Sequence, residues 1–489
     1  MKTKLIIITM LISTLLAIDT TAHNSRDRIV VISDTHLLSP ELVTPGTAID
    51  QADAAESKMM AMSDDIMASL TDSIIAMKPS IVLLTGDLTH NGERLSHERM
   101  AWHLERMAQH GIHPLVIPGN HDCNNPYSHR FDGDRTLPAA TITREEFATI
   151  YHDYGYGEGS RRDPASLSYC CEPVKGVVII GIDSNMDELN KLTSRGDSTD
   201  TYHNGGRIKP ETLQWVIDCA TQARKQGKLV LAMMHHHLVP HFDKEDQLLA
   251  NYIVKDHQAI ATQLAQAGIH TVFTGHLHVT DAVTLQDTTS GNSLVEVATG
   301  SAICYPFALR VATLDRHSKK LNIDTRWMTQ TQTCSTLREL GRQRIINSTP
   351  GMAAMLSGKA WNKLGGRMNQ LKAMIEMGGG KAHLPETPLQ ATQLVLRHMS
   401  EVLSRAMLAV VEGNEQHQDV EAIINDGKQG IRAMIAEVAP DQADNLWEFF
   451  LNDVYPKLDP LVRSVLDDRN AVGMPDESHT SDLQLTIAL

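Results

Sequence analysis

Aromatic residues are scarce in this chain, at 4% of 489 positions, while the hydrophobic fraction of 42% and the charged fraction of 21% are those of an ordinary folded protein. Clusters of lysine and arginine are also missing. The 44 basic residues are outnumbered by 59 acidic ones, giving a formal net charge of -15. Proteins that grip nucleic acid draw most of their affinity from clustered cations that neutralise phosphates, so no specific nucleic-acid binding is expected. A small anionic substrate stays compatible, provided that some local group supplies positive charge. No Cys-x-x-Cys spacing occurs. The six cysteines, Cys123, Cys170, Cys171, Cys219, Cys304 and Cys334, are scattered along a large chain, so they are no framework that defines a fold, and none is assigned a catalytic role. Their pairing stays open.

Beyond the first residues, no apolar run is long enough to span a bilayer, so no membrane span is expected in the mature chain. The N-terminal run itself, "LIIITMLISTLLAI", follows Lys2 and Lys4 and leads to small residues ending at Ala22. This pattern predicts a secretory signal over residues 1–22, cleaved to leave an exported chain, periplasmic or extracellular. The remaining length exceeds what one core usually supports and implies two domains.

Short apolar runs, each followed by a polar cluster, recur along residues 28–278. "RIVVIS" precedes "DTH", "SIVLLT" precedes "GDLTHNGE", "HPLVIP" precedes "GNHD", "KLVLAMM" precedes "HHH", and "IHTVFT" precedes "GHLH". Runs of this length, rich in Val, Ile and Leu, read as buried strands. Helical stretches are predicted between them at residues 53–77, 96–110 and 210–226, the last with proline at its start and glycine just past its end. Alternating strands and helices define an α/β fold, a layered β-sheet core flanked by helices. Ligand sites in such sheets form where the carboxyl ends of strands converge, which would bring the five clusters together.

Those clusters contain Asp34, His36, Asp87, Asn120, His121, His235, His276 and His278. Oxygen and imidazole donors without thiolates suit an open catalytic site for Zn, Mn, Fe or Co rather than a closed structural zinc. Seven ligands exceed the needs of one ion but suit two ions sharing a carboxylate, an arrangement used to hydrolyse phosphate esters.

In this order, D-x-H, GD, GNHD, a strand ending in His, and GHxH closely resemble the calcineurin-like metallophosphoesterase superfamily over residues 28–330. The resemblance implies two divalent or mixed-valence ions (Mn, Fe or Zn). Asp34, His36 and His278 would hold the first, Asn120, His235 and His276 the second, and Asp87 would bridge them. It further implies attack on phosphorus by a hydroxide shared between the ions, in line with the leaving group. His121 would steady the transition-state charge or protonate the leaving oxygen. Among the three consecutive histidines, His235 is the expected ligand. His236 replaces it if the strand ends one residue later and otherwise lines the substrate pocket, while His237 reads as a turn residue.

Departures from subfamilies narrow this resemblance. The segment "GDLTHNG" places His90 and Asn91 where protein phosphatases carry Asp and Arg, and His90 where purple acid phosphatases carry an iron-binding tyrosine. What remains resembles the phosphodiesterase branch acting on small phosphodiesters, with a phosphomonoesterase, a nuclease, or a catalytically silent binding protein on the same fold as alternatives. Arg207, in "GGRI", would clamp a phosphate or cap the following helix. Asp122 and Asp183 read as loop and turn formers, and His90, His203 and His257 as surface or turn residues.

After residue 330 the strand-like runs give way to helical ones. Val395, Met399, Val402, Ala406 and Ala409 share one apolar helical face, and "MGGGK" breaks two helices. The expected organisation is therefore a phosphoesterase domain over residues 23–330, a mostly helical C-terminal domain over 331–475 and a loosely ordered tail over 476–489.

Overall fold

The computed structural model describes residues 26–191, 201–287, 290–413, 420–466 and 482–489. The expected signal segment and the first part of the expected tail lie outside the described residues.

Two β-sheets pack face to face. The first contains β1 (Arg26–Ile32), β2 (Ile81–Leu84) and β3 (His113–Val116), which are parallel to one another. The second contains β4 (Ser160–Arg162), β5 (Tyr169–Val174), β6 (Val177–Ile182), β7 (Leu229–Met234), β8 (Thr271–Thr274), β9 (Asp281–Gln286) and β10 (Ser293–Ala298), in the order β9-β10-β8-β7-β6-β5-β4. Antiparallel strands β11 (Ala308–Asp315), β12 (Lys320–Trp327) and β13 (Gln484–Ala488) complete the first sheet, in the order β13-β12-β11-β1-β2-β3. Every residue of β2, β6 and β8 is buried, as expected of strands covered on both faces. One continuous apolar core runs through both sheets, including Ile29, Val31, Leu83, Ile180, Leu231 and Phe273.

Helices α1 (Ser63–Met77), α2 (Arg94–Ala108), α3 (Pro210–Lys225) and α4 (His257–Ala267) cover the sheets. The helix predicted over residues 53–77 is in fact broken. One helix ends at Ala55, a single turn occupies Met60–Met62, and α1 begins at Ser63. The residues of the break recur in the site below.

The C-terminal region is helical, with α5 (Leu337–Met377), α6 (Pro388–Glu412), α7 (Val420–Val438) and α8 (Tyr455–Leu466). Ala409 of α6 packs with Ile423, Ile424 and Leu466, with Val402 and Ala406 partly buried alongside, so the apolar stripe read from sequence is the face that docks. The glycines after Met377 separate α5 from α6.

A loosely ordered tail is not what the structure has at residues 482–489. Gln484–Ala488 pairs antiparallel with β12, and Leu485 and Ile487 alternate into the core. Burying two such side chains contributes about 1.5–3 kcal/mol each, enough to hold a short edge strand. The polar stretch before it hid this period-two pattern.

Candidate functional site

The five polar clusters meet where the carboxyl ends of the two sheets face each other. Asp34 and His36 follow β1, Asp87 follows β2, Asn120 and His121 follow β3, His235 follows β7, and His276 and His278 follow β8. Asp34, His36, Asp87, His276 and His278 all have left-handed backbone conformations, with φ between 36° and 69°. Non-glycine residues are uncommon there, and each holds some strain that the surrounding fold must offset. Their concentration at one point marks it as a site where side-chain aim outweighs local comfort.

Close approach adds a second constraint. A Cβ on Gly119 would stand 2.2 Å from Asp87 Oδ1, and one on Gly275 would stand 2.5 Å from Asp34 Oδ2. Only glycine lets these strand ends come so near the carboxylates.

The donor atoms form two adjoining groups. Donors of Asp34, His36 and His278 lie within 4.8 Å of one another, as do donors of Asp87, His235 and His276. Asp87 Oδ2 stands between the groups, 3.3 Å from His235 Nε2 and 3.7 Å from His36 Nε2. Asn120 Oδ1 is 3.1 Å from His235 Nε2, and the His36 and His278 Nε2 atoms face each other at 3.1 Å. Separations near 3 Å are those of neighbouring ligands around an ion with bonds of about 2.0–2.2 Å. The donor set therefore fits two cations sharing Asp87.

Outer contacts fix how these donors point. His235 Nδ1 is 2.9 Å from the Thr85 carbonyl and His276 Nε2 is 3.1 Å from the Asn251 carbonyl, so each ring keeps its other nitrogen for the centre. The Asn120 amide donates to the Tyr202 hydroxyl at 2.7 Å, turning its oxygen inward. Burial alone would push the Asp87 carboxyl up, but the imidazoles of His235, His121 and His36 outweigh it and hold the group well below the ordinary carboxylate range. Burial lowers His36 and His276 well below the ordinary imidazole value. In His235 the Asp87 carboxylate overcomes burial and raises the ring to about 9, so a proton and a cation compete for that position.

His121 occupies the open edge of the group, with a side chain 23% exposed and Nε2 3.9 Å from Asp87 Oδ2. Its Nδ1 lies 2.7 Å from the His90 carbonyl and 2.9 Å from Asn91 Oδ1, which leaves Nε2 turned toward Asp87. Asp122 stays out of the centre, accepting from the backbone of Leu88, Thr89 and Gly119 and stitching two site loops together. Asp183 pairs with Arg144 and accepts from Leu167 and Asn185.

His235, first after the strand, meets Asn120 and Asp87. His236 turns aside, with Nδ1 2.8 Å from Ser184 Oγ and Nε2 3.2 Å from the Asn204 carbonyl, although its ring packs against His276. Arg207 is not brought into the cluster. Its guanidinium pairs with Glu188 at 2.5 Å, so acting as the expected phosphate clamp would require release from that carboxylate. His90 is also not a surface residue. It is buried, with its ring against that of His129.

Lys58 went unread in the sequence. It sits in the break before α1, pairs with Glu56 at 3.1 Å, and lies close enough to lower proton affinity at His36, His90 and His121. Here is the local positive charge that an acidic chain needs. Its only signal in the sequence is the interruption of a helical pattern. Tyr202 was likewise hidden, in a loop with no periodicity.

The sequence model of the calcineurin-like phosphoesterase family matches residues 27–280, more than half of the chain. The protein belongs to the calcineurin-like phosphoesterase family, hydrolases that act on phosphorylated substrates. Among solved structures, a dimetal phosphatase from Danio rerio is similar at 14% identity and a TM-score of 0.39, over 62% of this chain and 96% of that one. A purple acid phosphatase from yellow lupin (Lupinus luteus) seeds is similar at 13% identity and a TM-score of 0.37, over 63% of this chain and 52% of that one. GAP50, the anchor in the inner membrane complex of Plasmodium, is similar at 10% identity and a TM-score of 0.32, over 66% of this chain and 94% of that one. No curated protein matches the sequence. Among the described residues, no helix is long and apolar enough to cross a membrane.

Proposed function

We propose that this protein is an exported phosphodiesterase acting on small phosphodiesters, with Asp34, His36, Asp87, Asn120, His235, His276 and His278 holding two divalent cations. Such cations supply the Lewis acidity that activates water and neutralises phosphoryl charge. The chain's own residues position the ester and handle the proton. His121, held by His90 and Asn91 with Nε2 on the Asp87 side, protonates the departing oxygen. Asp87, kept ionised among imidazoles, keeps the rings around it oriented.

The observation that supports a diester over a monoester is the sparse cationic complement beside the donors. Lys58 is itself paired with Glu56, and Arg207 is held by Glu188. A diester phosphate carries one negative charge and a monoester up to two, so the weaker complement favours the diester. The net charge of -15 works against long polyanions. Export rests on the N-terminal apolar run, and a mature chain beginning after Ala22 is the expected mass-spectrometric result.

The test is turnover by purified, Mn-loaded protein of bis-p-nitrophenyl phosphate, p-nitrophenyl phosphate and single-stranded DNA. Fastest turnover of the first is expected. A preference for the monoester overturns the diester assignment, and no turnover of any ester replaces the enzyme with a silent binding protein.

A further inference from the structure

Two residues past His235, the same histidine tract enters a second buried cluster. One donor atom each from His237, His241 and Glu296 lies within 4.8 Å of the others, and all three residues are buried. We infer that His237, His241 and Glu296 form a third, structural cation site, separate from the two-ion centre and suited to zinc.

The arrangement has the features of a built site. His237 Nδ1 is 2.8 Å from Glu245 Oε1, and His241 Nδ1 is 2.7 Å from Asp281 Oδ2. An imidazole that binds metal through one nitrogen characteristically gives the other to a carboxylate, which fixes its tautomer and raises its basicity. The remaining nitrogen of each ring, Nε2, is buried without a satisfactory hydrogen bond, and that of His241 stands 3.4 Å from Glu296 Oε1. Buried polar atoms are rarely left so, and two in one pocket point to a missing partner.

Glu296 is itself fixed, accepting from the backbone of Leu238 and Val239 and from the Thr274 hydroxyl. Two imidazoles and a carboxylate suit zinc, and a small side-chain contraction brings them to bonds of about 2.0–2.2 Å. Charge argues the same way. Glu245, Asp281 and Glu296 bring three carboxylates around the two rings, an excess of negative charge that a dication offsets.

The site joins distant parts of the fold. His237 follows β7, Glu296 lies on β10, and Asp281 opens β9. The backbone amide of Asp243, between the two histidines and α4, donates to the Ser464 hydroxyl of α8, and that of Ala282 donates to Asp482 beside β13. A cation here ties the sheet edge to the returning C-terminal segment and fixes the tract that carries His235.

The test is metal counting on the full chain after zinc loading and desalting. Three ions per chain are expected in the parent and two in His241→Asn. Asp34→Asn/Asp87→Asn, which dismantles the two-ion centre, is expected to keep one ion and to lose thermal stability on chelation. This variant serves where His241→Asn does not fold, and its count is independent of activity. Two ions in the parent, an unchanged count in His241→Asn, or none in the double variant overturns the site in favour of a protonated His241 held between Asp281 and Glu296.

Discussion

His235 and His237 leave the same strand two residues apart and enter two clusters of the same chemical types, yet the clusters are built differently. Around Asp87 five of the seven donor residues, Asp34, His36, Asp87, His276 and His278, are carried on left-handed backbone, and His121 opens to solvent within electrostatic reach of Lys58. Around Glu296 none of His237, His241 and Glu296 is left-handed, and each ring is sealed against a carboxylate. Residue type alone does not separate a reaction centre from a buried tie. Backbone strain, access to solvent and an unpaired ring at the rim do.

The largest effect that would sharpen this contrast is expected of Asp87→Asn. One oxygen of Asp87 serves both donor groups, so losing its charge is expected to lower metal content by two ions and the rate together. The loss in kcat is expected to be on the order of 10³-fold, the scale of removing an electrostatic group aimed at the reacting centre. Stopped turnover with metal content unchanged from the parent would show that Asp87 acts on the substrate rather than on metal, and full activity would remove it from the centre.

His121→Asn comes next. Metal counts are expected to stay at the parent value, because His121 Nε2 stands 3.9 Å from the bridging carboxylate at the edge of the group. The rate is expected to fall roughly 10²-fold, at the lower end for loss of a general acid. That loss should shrink for esters whose leaving group is already a good one, such as p-nitrophenol. Equal losses for good and poor leaving groups would make His121 a charge-steadying group instead.

Sequence exposed the first cluster because its logic is topological. Strands covered on both faces show as unbroken aliphatic runs, and their carboxyl ends must converge, so Asp34, Asp87, Asn120, His235 and His276 could be gathered without knowing a single distance. The strand register that chooses His235 over His236 was not readable, since consecutive residues at a strand end point apart and the last strand residue is set by pairing with β6 and β8. Lys58 and Tyr202 were invisible for a related reason. Their positions follow from how a helix break and a loop fold back over the strand ends, and neither carries a period. The tail was misread because five alternating residues after a polar stretch give too little pattern, although Leu485 and Ile487 complete the first sheet.

The smallest effect is expected of Arg207→Ala, and it discriminates between reading a residue by type and by partner. Arginine near a phosphate site suggests a clamp. In the structure its guanidinium is paired with Glu188 at 2.5 Å while its backbone amide donates to the Ser184 carbonyl at 2.8 Å, so its charge serves the loop. Both side chains are partly exposed, which limits the pair to about 1 kcal/mol or less of stability. Substitution is therefore expected to leave KM for bis-p-nitrophenyl phosphate within about twofold, since uniform binding that the residue never made cannot be lost. Lys58→Ala is the matched comparison, because the Lys58 charge reaches His36 and His121 and its loss should raise KM by several times that factor. If Arg207→Ala raised KM more than Lys58→Ala, the loop must release Arg207 from Glu188 when substrate arrives, and the positive charge at the site would belong to that loop.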